Sequence, residues 1–359
     1  MYSKMKNKNY CNTIFYSGKR LFMLMSVLFF HSITAAQDIH FSQFFEAPLL
    51  RNPSLAGIFN GDLRFQTVIR QQWAAVTVPY QTGSFNTEFK MPVGNADDFL
   101  TMGGQFVYDK AGSTNFKTIQ VLPAVNYHKS LSGLKNRYLS LGFMGGYVQR
   151  SIDPTKITTN SQYDGSGFNA ALSTNESVIN YNLGYWDGSV GMSFNTGIGN
   201  EENEINNLYL GVAFHHFNRP KNSFYRKPDI ELQPKWVYSL GVRFALNDKS
   251  YFTIQADHNT QGDYKETLGG AMYTYALDDI LDNSRYDLHV GAFIRWKDAI
   301  IPVIKLDYKP FSIAFSYDIN TSLLRTASQG RGGFELSITH ISFFDRDNST
   351  KNAVLCPRF

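Results

Sequence analysis

Serine, histidine and aspartate are plentiful in this chain of 359 residues, and the closest approach to a base with its orienting carboxylate is His258 beside Asp257. Acyl transfer needs nucleophile, imidazole and carboxylate to converge within hydrogen-bond reach. Adjacent residues of a strand point to opposite faces, so this pair diverges if the segment is extended. No G-x-S-x-G elbow is present. Ser328-Gln329-Gly330-Arg331-Gly332-Gly333 is a glycine-rich turn of the kind that can cradle phosphate. It leads into an apolar-polar alternation rather than a helix, and no G-x-x-x-x-G-K-S/T occurs. The adjacent His215-His216 show no ligand spacing on a helix, and the two cysteines, Cys11 and Cys356, make no metal-binding cluster. Neither catalysis nor a cofactor is expected.

Charge at alternating positions is more informative. Arg64 and Arg70 share the polar face of a strand expected over 62–72, and Arg243 lies on that of Trp236 to Leu246. Lys305 and Asp307 fall on the polar face of 300–308, Asp318 on that of Phe311 to Asn320, and Glu335 on that of 333–341. If the first and last strands are neighbours, Asp318 and Glu335 approach Arg64 and Arg70 across the seam. Such a network either braces the wall, at about 0.2 to 1 kcal/mol per solvated pair, or grips a ligand. Bracing is the favoured expectation.

The elements that would position these charges are strands. In Trp236 to Leu246 the even residues Trp236, Tyr238, Leu240, Val242, Phe244 and Leu246 form an apolar face expected to meet lipid. Phe311 to Asn320 and Leu288 to Trp296 alternate in the same way. Eleven further strands are expected near 62–72, 80–91, 100–109, 116–129, 137–150, 186–195, 207–217, 250–258, 265–277, 300–308 and 333–341, giving fourteen between Leu63 and Ile341. An even count puts both ends on one side of a membrane. Long connections are then expected on the far side at 151–185, 218–233, 259–264 and 321–332. Tight near-side turns are expected at Asn247-Asp248-Lys249 and Lys309-Pro310, with 196–206 of medium length. A periplasmic β-sandwich would also alternate, but its strands average roughly 5 to 6 residues against the roughly 10 that cross a bilayer.

Residues 1–36 read as a secretory leader. Lys4, Lys6, Lys8, Lys19 and Arg20 make its basic start, Leu21 to Phe30 its apolar run, and Thr34-Ala35-Ala36 a small-residue cleavage site. Its five basic residues taken from 34 leave 29 against 30 acidic ones, so charge gives no reason to expect a nucleic-acid partner. Cys11 leaves with the leader, and Cys356 alone cannot form an intramolecular disulfide. Aromatic residues make up 15% while mean hydropathy is only -0.27, which suits strands with one greasy and one wet face and excludes a helical membrane protein. The expected fold is an all-β, antiparallel outer-membrane β-barrel with outer-membrane lipid around it.

Two further stretches are unusually specific. Gln37 to Phe59 reads QDIHFSQFFEAPLLRNPSLAGIF, too irregular for a strand and too aromatic for a solvated tail. It is expected to bury its apolar residues in the lumen or against a partner, and 37–60 is taken as a periplasmic or lumen-packing segment distinct from the barrel of 61–341 and a periplasmic tail of 342–359. The second stretch is FSIAFSYDINTSLLRTASQGRGGFELSI, Phe311 to Ile338, and the chain closes on Cys-Pro-Arg-Phe. In these words the mature chain resembles the PorP/SprF family of type IX secretion system outer-membrane proteins. Ile39 stands where proline is usual, Ser54 where alanine is usual, and Arg51 in a normally less charged place.

The resemblance implies an accessory barrel without catalysis. Some members look like core components linking the outer membrane to the periplasmic secretion or gliding machinery, and others like dedicated partners of a co-encoded secreted adhesin. Residues matching the family words are His40, Phe41, Ser42, Gln43, Asn52, Pro53, Gly57, Asp318, Asn320, Gly330, Arg331, Gly332, Gly333, Glu335, Cys356 and Pro357, expected to serve partner contact or barrel architecture. A passive porin or small-solute transporter is the alternative, although a heavy N-terminal segment and a lumen of mixed charge argue against an open pore.

Overall fold

The computed structural model describes residues 38–74, 78–94, 98–132, 137–175, 180–198, 206–225, 230–281, 284–322 and 325–344. Residues 1–37 and 345–359, with Cys356 and Pro357, lie outside the described residues. Fourteen strands follow in chain order among those described: β1 (Leu63–Gln72), β2 (Tyr80–Val93), β3 (Asp98–Ala111), β4 (Phe116–Ser132), β5 (Arg137–Ser151), β6 (Asn182–Gly197), β7 (Asn207–His215), β8 (Lys235–Asn247), β9 (Ser250–Gln261), β10 (Tyr264–Ala276), β11 (Tyr286–Arg295), β12 (Ala299–Tyr308), β13 (Phe311–Asn320) and β14 (Arg331–Ser342). Each pairs antiparallel with its sequence neighbours. β1 also pairs with β14, Leu63 opposite Ser342 and Arg70 opposite Glu335, which closes the barrel. Closure leaves no strand edge unpaired, the condition for a sheet in hydrocarbon.

Burial follows the expected period of two. Along β13, Phe311, Ile313, Phe315 and Ile319 are exposed outward while Ala314, Ser316 and Asp318 are buried inward. β8 turns Trp236, Tyr238, Leu240, Phe244 and Leu246 outward, as expected. In water such a belt of half-exposed aliphatic and aromatic side chains would be a large liability; in lipid it is the ordinary surface.

The near rim is where β1 begins and β14 ends; the far rim is opposite. The longest far connections, 152–181 and 216–234, agree with expectation, and turns 248–249 and 309–310 are short at the near rim. The expected 259–264 connection is instead the two-residue turn Gly262-Asp263, because Gly262 adopts φ +56° and lets β9 and β10 run on to meet it. β6 begins at Asn182, earlier than expected, by continuing its ladder along β5 to Ser151.

The pairing of β13 with β14 is irregular beside the seam. Between Tyr317 and Ile319 the register slips by one residue, a bulge in which Gly332 and Gly333 of β14 together oppose Asp318. A β-carbon at Gly332 would lie 2.4 Å from the Asp318 carbonyl oxygen, and one at Gly333 would lie 2.6 Å from that of Gln71 on β1. The glycine-rich turn therefore serves close strand approach at the seam. Gly330, at φ +77°, completes the turn into β14.

Leu240→Arg should fail to insert whereas Arg243→Ala should fold and insert, judged by heat-modifiable gel mobility. An arginine on the lipid face near the midplane costs about 2 to 4 kcal/mol, and an inward change is absorbed by the lumen.

Candidate functional site

The lumen is occupied by the chain's own N-terminal segment, residues 38–59. Two proline-started turns and a third short one give it compactness without a ladder: Phe44–Glu46, Pro48–Arg51 and Pro53–Leu55. Proline suits a first helical position because its missing N–H would be unpaired there anyway. Asn52 caps the last turn, its Oδ1 accepting from Ser54 N at 2.9 Å and Ser54 Oγ at 2.8 Å.

These turns satisfy part of the backbone internally, as where Glu46 N donates to Gln43 O and Asn52 N to Pro48 O, each at 2.8 Å, and the wall must meet the groups they leave over. Glu335 accepts from two successive amides, Ser42 N and Gln43 N, both at 2.7 Å. Arg70 Nη1 donates to His40 O at 2.6 Å. Asn126 Nδ2 donates to Ser54 O and Ala56 O, each at 2.7 Å. Glu88 Oε2 accepts from Gly57 N at 2.7 Å, and Lys90 Nζ donates to Phe59 O at 2.6 Å.

Charged groups tie these contacts together. Arg70 meets Glu335 at 3.1 Å and Asp318 at 3.2 Å, and Arg295 also reaches Asp318 at 3.2 Å. Ser42 Oγ donates to Asp318 Oδ2 at 2.9 Å and contacts the Arg295 guanidinium. Deeper in, Glu46 takes Lys305 at 2.6 Å and Gln66 Nε2 at 2.8 Å, and Arg51 takes Asp257 at 2.6 Å. At the far rim Asp38 reaches His216 at 3.3 Å and Lys235 at 3.4 Å, with His216 also 2.7 Å from Asp187. His216 follows the end of β7 at φ +57°, which turns it inward beside His215 rather than outward as strand parity would. Burial opposes a charged His216 ring, but the Asp38 and Asp187 carboxylates outweigh it and hold its pKa up to about 9.

Apolar contacts fill the remaining space. Phe44 and Phe45 pack on Phe293, Leu268, Met272 and Ile301; Leu55 and Ile58 pack on Phe99, Tyr138 and Tyr209. Leu49 and Ala56 meet Leu122, Ala124 and Met144, and Phe41 and Ala47 meet Val68. At inward Gly142 a β-carbon would stand 2.5 Å from the Pro53 carbonyl, so the bare wall admits the Asn52-Pro53 corner. Two voids lined jointly by segment and wall measure about 50 and 30 Å³, room for a few water molecules at most.

The sequence model of the type IX secretion system membrane protein PorP/SprF family matches residues 33–340. The chain belongs to this family. It is accordingly an outer-membrane β-barrel associated with the type IX secretion system. Comparison with curated proteins gives no match. Among solved structures, a FadL homologue from Pseudomonas aeruginosa is similar at 8% identity, covering 82% of this chain and 94% of its own, with TM-score 0.44. The toluene transporter TodX of P. putida gives 9%, 82%, 93% and 0.42. The translocator domain of autotransporter NalP from Neisseria meningitidis gives 10%, 82%, 93% and 0.40.

In this PorP/SprF chain, the family-matching residues in the described range divide between the segment and the seam that holds it. His40, Phe41, Ser42, Gln43, Asn52, Pro53 and Gly57 all belong to the segment, and Asp318 and Glu335 to the wall that binds it. Gly57, at φ +82°, lies so close to Thr101 that a β-carbon would sit 2.0 Å from its Oγ1. Asn320 Nδ2 closes the last turn on Ser328 Oγ at 3.1 Å and Arg331 O at 3.2 Å; Gly330, Gly332 and Gly333 shape that turn and seam, and the Arg331 side chain is exposed.

The charge network differs from expectation in two places. Arg64 pairs with neither Asp318 nor Glu335: it sits near the start of β1 and turns to Glu88 on β2, at 2.6 Å. Arg243 faces inward but forms no ion pair among the described residues and instead lies 3.7 Å from the centroid of the Tyr251 ring. Lys305 and Asp307 are 3.9 Å apart, Asp307 reaching His289 at 3.2 Å. Asp257 and His258 do face opposite ways, and Asp257 is engaged by Arg51. Glu88, Asn126, Asp257 and Arg295 went unrecognised as segment anchors; inward parity marks each as a lumen residue, but nothing in it says what the lumen holds.

A double-mutant cycle separates the two arginines. Arg70→Gln with Glu335→Gln should show coupling well above 0.5 kcal/mol in urea unfolding, since breaking one side of a buried pair costs about 3 to 5 kcal/mol. Arg64→Gln with Glu335→Gln should be additive within about 0.5 kcal/mol.

Proposed function

We propose that the protein is a non-catalytic accessory barrel of the type IX secretion system that engages a secreted, adhesin-like surface protein or the secretion and gliding machinery. The observation that carries this reading is the filled lumen. A wall that spends Glu335, Arg70, Asn126, Glu88 and Lys90 on the backbone of its own N-terminal segment, with voids of only about 50 and 30 Å³ between them among the described residues, speaks against the porin alternative. The parts left for partners are the two rims and the tail. We assign partner contact to the tail, where Cys356 and Pro357 match the family ending and a rigid proline beside a terminal aromatic suits a groove.

Purification of the affinity-tagged full chain from detergent-solubilised outer membrane should recover one large surface protein or components of the periplasmic machinery. Removal of 352–359 should leave a heat-modifiable, inserted barrel and lower that recovery at least tenfold. An unaccompanied barrel, or undiminished recovery after truncation, would refute respectively the interaction role and the role of the tail.

A further inference from the structure

The start of the N-terminal segment and its end lie at opposite mouths of the barrel. At its C-terminal end, Phe59 O accepts from Lys90, Asp62 N donates to Ser342 O at 2.9 Å, and Asp62 O accepts from Lys90 N at 2.8 Å. These partners stand at the near rim, where β14 ends and β2 approaches its turn. At its other end, Asp38 meets His216, just after β7, and Lys235, the first residue of β8. His40 lies 3.7 Å from Glu266 near the start of β10, and Ser42 and Gln43 are bound by Glu335 near the start of β14. All of these are far-rim positions. Between these ends the path doubles back once, Glu46 meeting Lys305 in the near half of β12 and Arg51 O meeting His215 at the far end of β7, but the net course of the segment is from the far mouth through the lumen to the near rim, where it enters β1.

We infer that the barrel threads its N-terminal segment through the lumen and presents the beginning of the mature chain at the mouth that carries the long connections 152–181 and 216–234. The N-terminal end is thereby an interaction element, fitted to a polypeptide docking across that mouth and touching it together with those connections. Asp38 and His40 retain 18% and 22% side-chain exposure there, unlike the sealed residues 41–49. The element sits apart from the tail, which leaves from the near rim, where Phe344 N donates to Asp62 Oδ2 at 2.8 Å. With short turns facing the periplasm and long connections facing outward, this mouth is the cell surface. The threading stands on the contacts alone; the nature of the partner rests on the function proposed above.

Single cysteines test it in the full chain carrying Cys356→Ser, in whole cells, with a membrane-impermeant maleimide. Ser166→Cys in the long connection and Asp248→Cys in the near turn report the two sides. Ile39→Cys should label in intact cells at a rate within about tenfold of Ser166→Cys, while Asp248→Cys should label only after permeabilisation. Ile39→Cys following Asp248→Cys, or labelling under neither condition, overturns the threading. Exchange of behaviour between the two reporters would overturn only the surface assignment, because Ile39→Cys still follows one mouth or the other. A biotin-streptavidin adduct at Ile39→Cys should then cut recovery of the co-purifying protein at least tenfold. Recovery undiminished relative to the unlabelled Cys356→Ser chain removes the interaction role of the N-terminal end, whereas absence of any co-purifying protein from the wild-type chain, Cys356 intact, refutes the proposed function itself.

Discussion

Everything in this barrel answers to one requirement: a non-repetitive peptide backbone enclosed by a closed sheet must have the amides and carbonyls that its own turns leave over met by side chains of the wall. Glu335 taking two consecutive N–H groups at 2.7 Å is the clearest instance. A carboxylate so placed is fully buried, and it is tolerable only because Arg70 lies 3.1 Å away. Arg70 in turn shares Asp318 with Arg295, and Asp318 reaches them from the β13–β14 bulge that Gly332 permits. Bulge, glycines, ion cluster and bound segment are thus one arrangement, with the barrel seam at its centre.

The same requirement explains why the lumen is not simply polar. Buried hydrogen bonds give modest net stability, about 0.5 to 1.5 kcal/mol each, so packing has to supply much of the rest. The wall therefore interrupts its polar inner face with Phe293, Leu268, Ile301, Phe99 and Met144, each placed under an aromatic or aliphatic residue of the segment. Arg51 joins both kinds of contact. It pairs with Asp257 and lays its guanidinium 4.9 Å from the Phe44 ring centroid.

Strands were legible in the sequence because lipid on one side and a wet or packed lumen on the other force a period of two over long runs, as in Phe311 to Asn320. Strand ends were less legible: nothing local distinguishes 259–261 from a loop until the β10 partner is in place. The inward direction of Arg64 and Arg70 was also readable, but not their partners. Parity fixes a face and leaves height along the barrel open, and it is height that sends Arg64 to Glu88 and Arg70 to Glu335. His216 escaped for a different reason, since a left-handed residue at the end of a strand breaks the parity rule itself. The apolar lumen residues looked like weak alternation, because their reason for being apolar lies about 40 to 250 residues away in the N-terminal segment.

The central claim, that the N-terminal segment seals the barrel by occupying it, is tested most directly by planar-bilayer conductance of the purified full chain beside Gly142→Val. The wild-type protein should show no steady current, while the valine side chain, driven against the Pro53 backbone, should unseat the segment and give large, stable conductance steps. A steady open channel in the untreated wild-type protein would contradict the account.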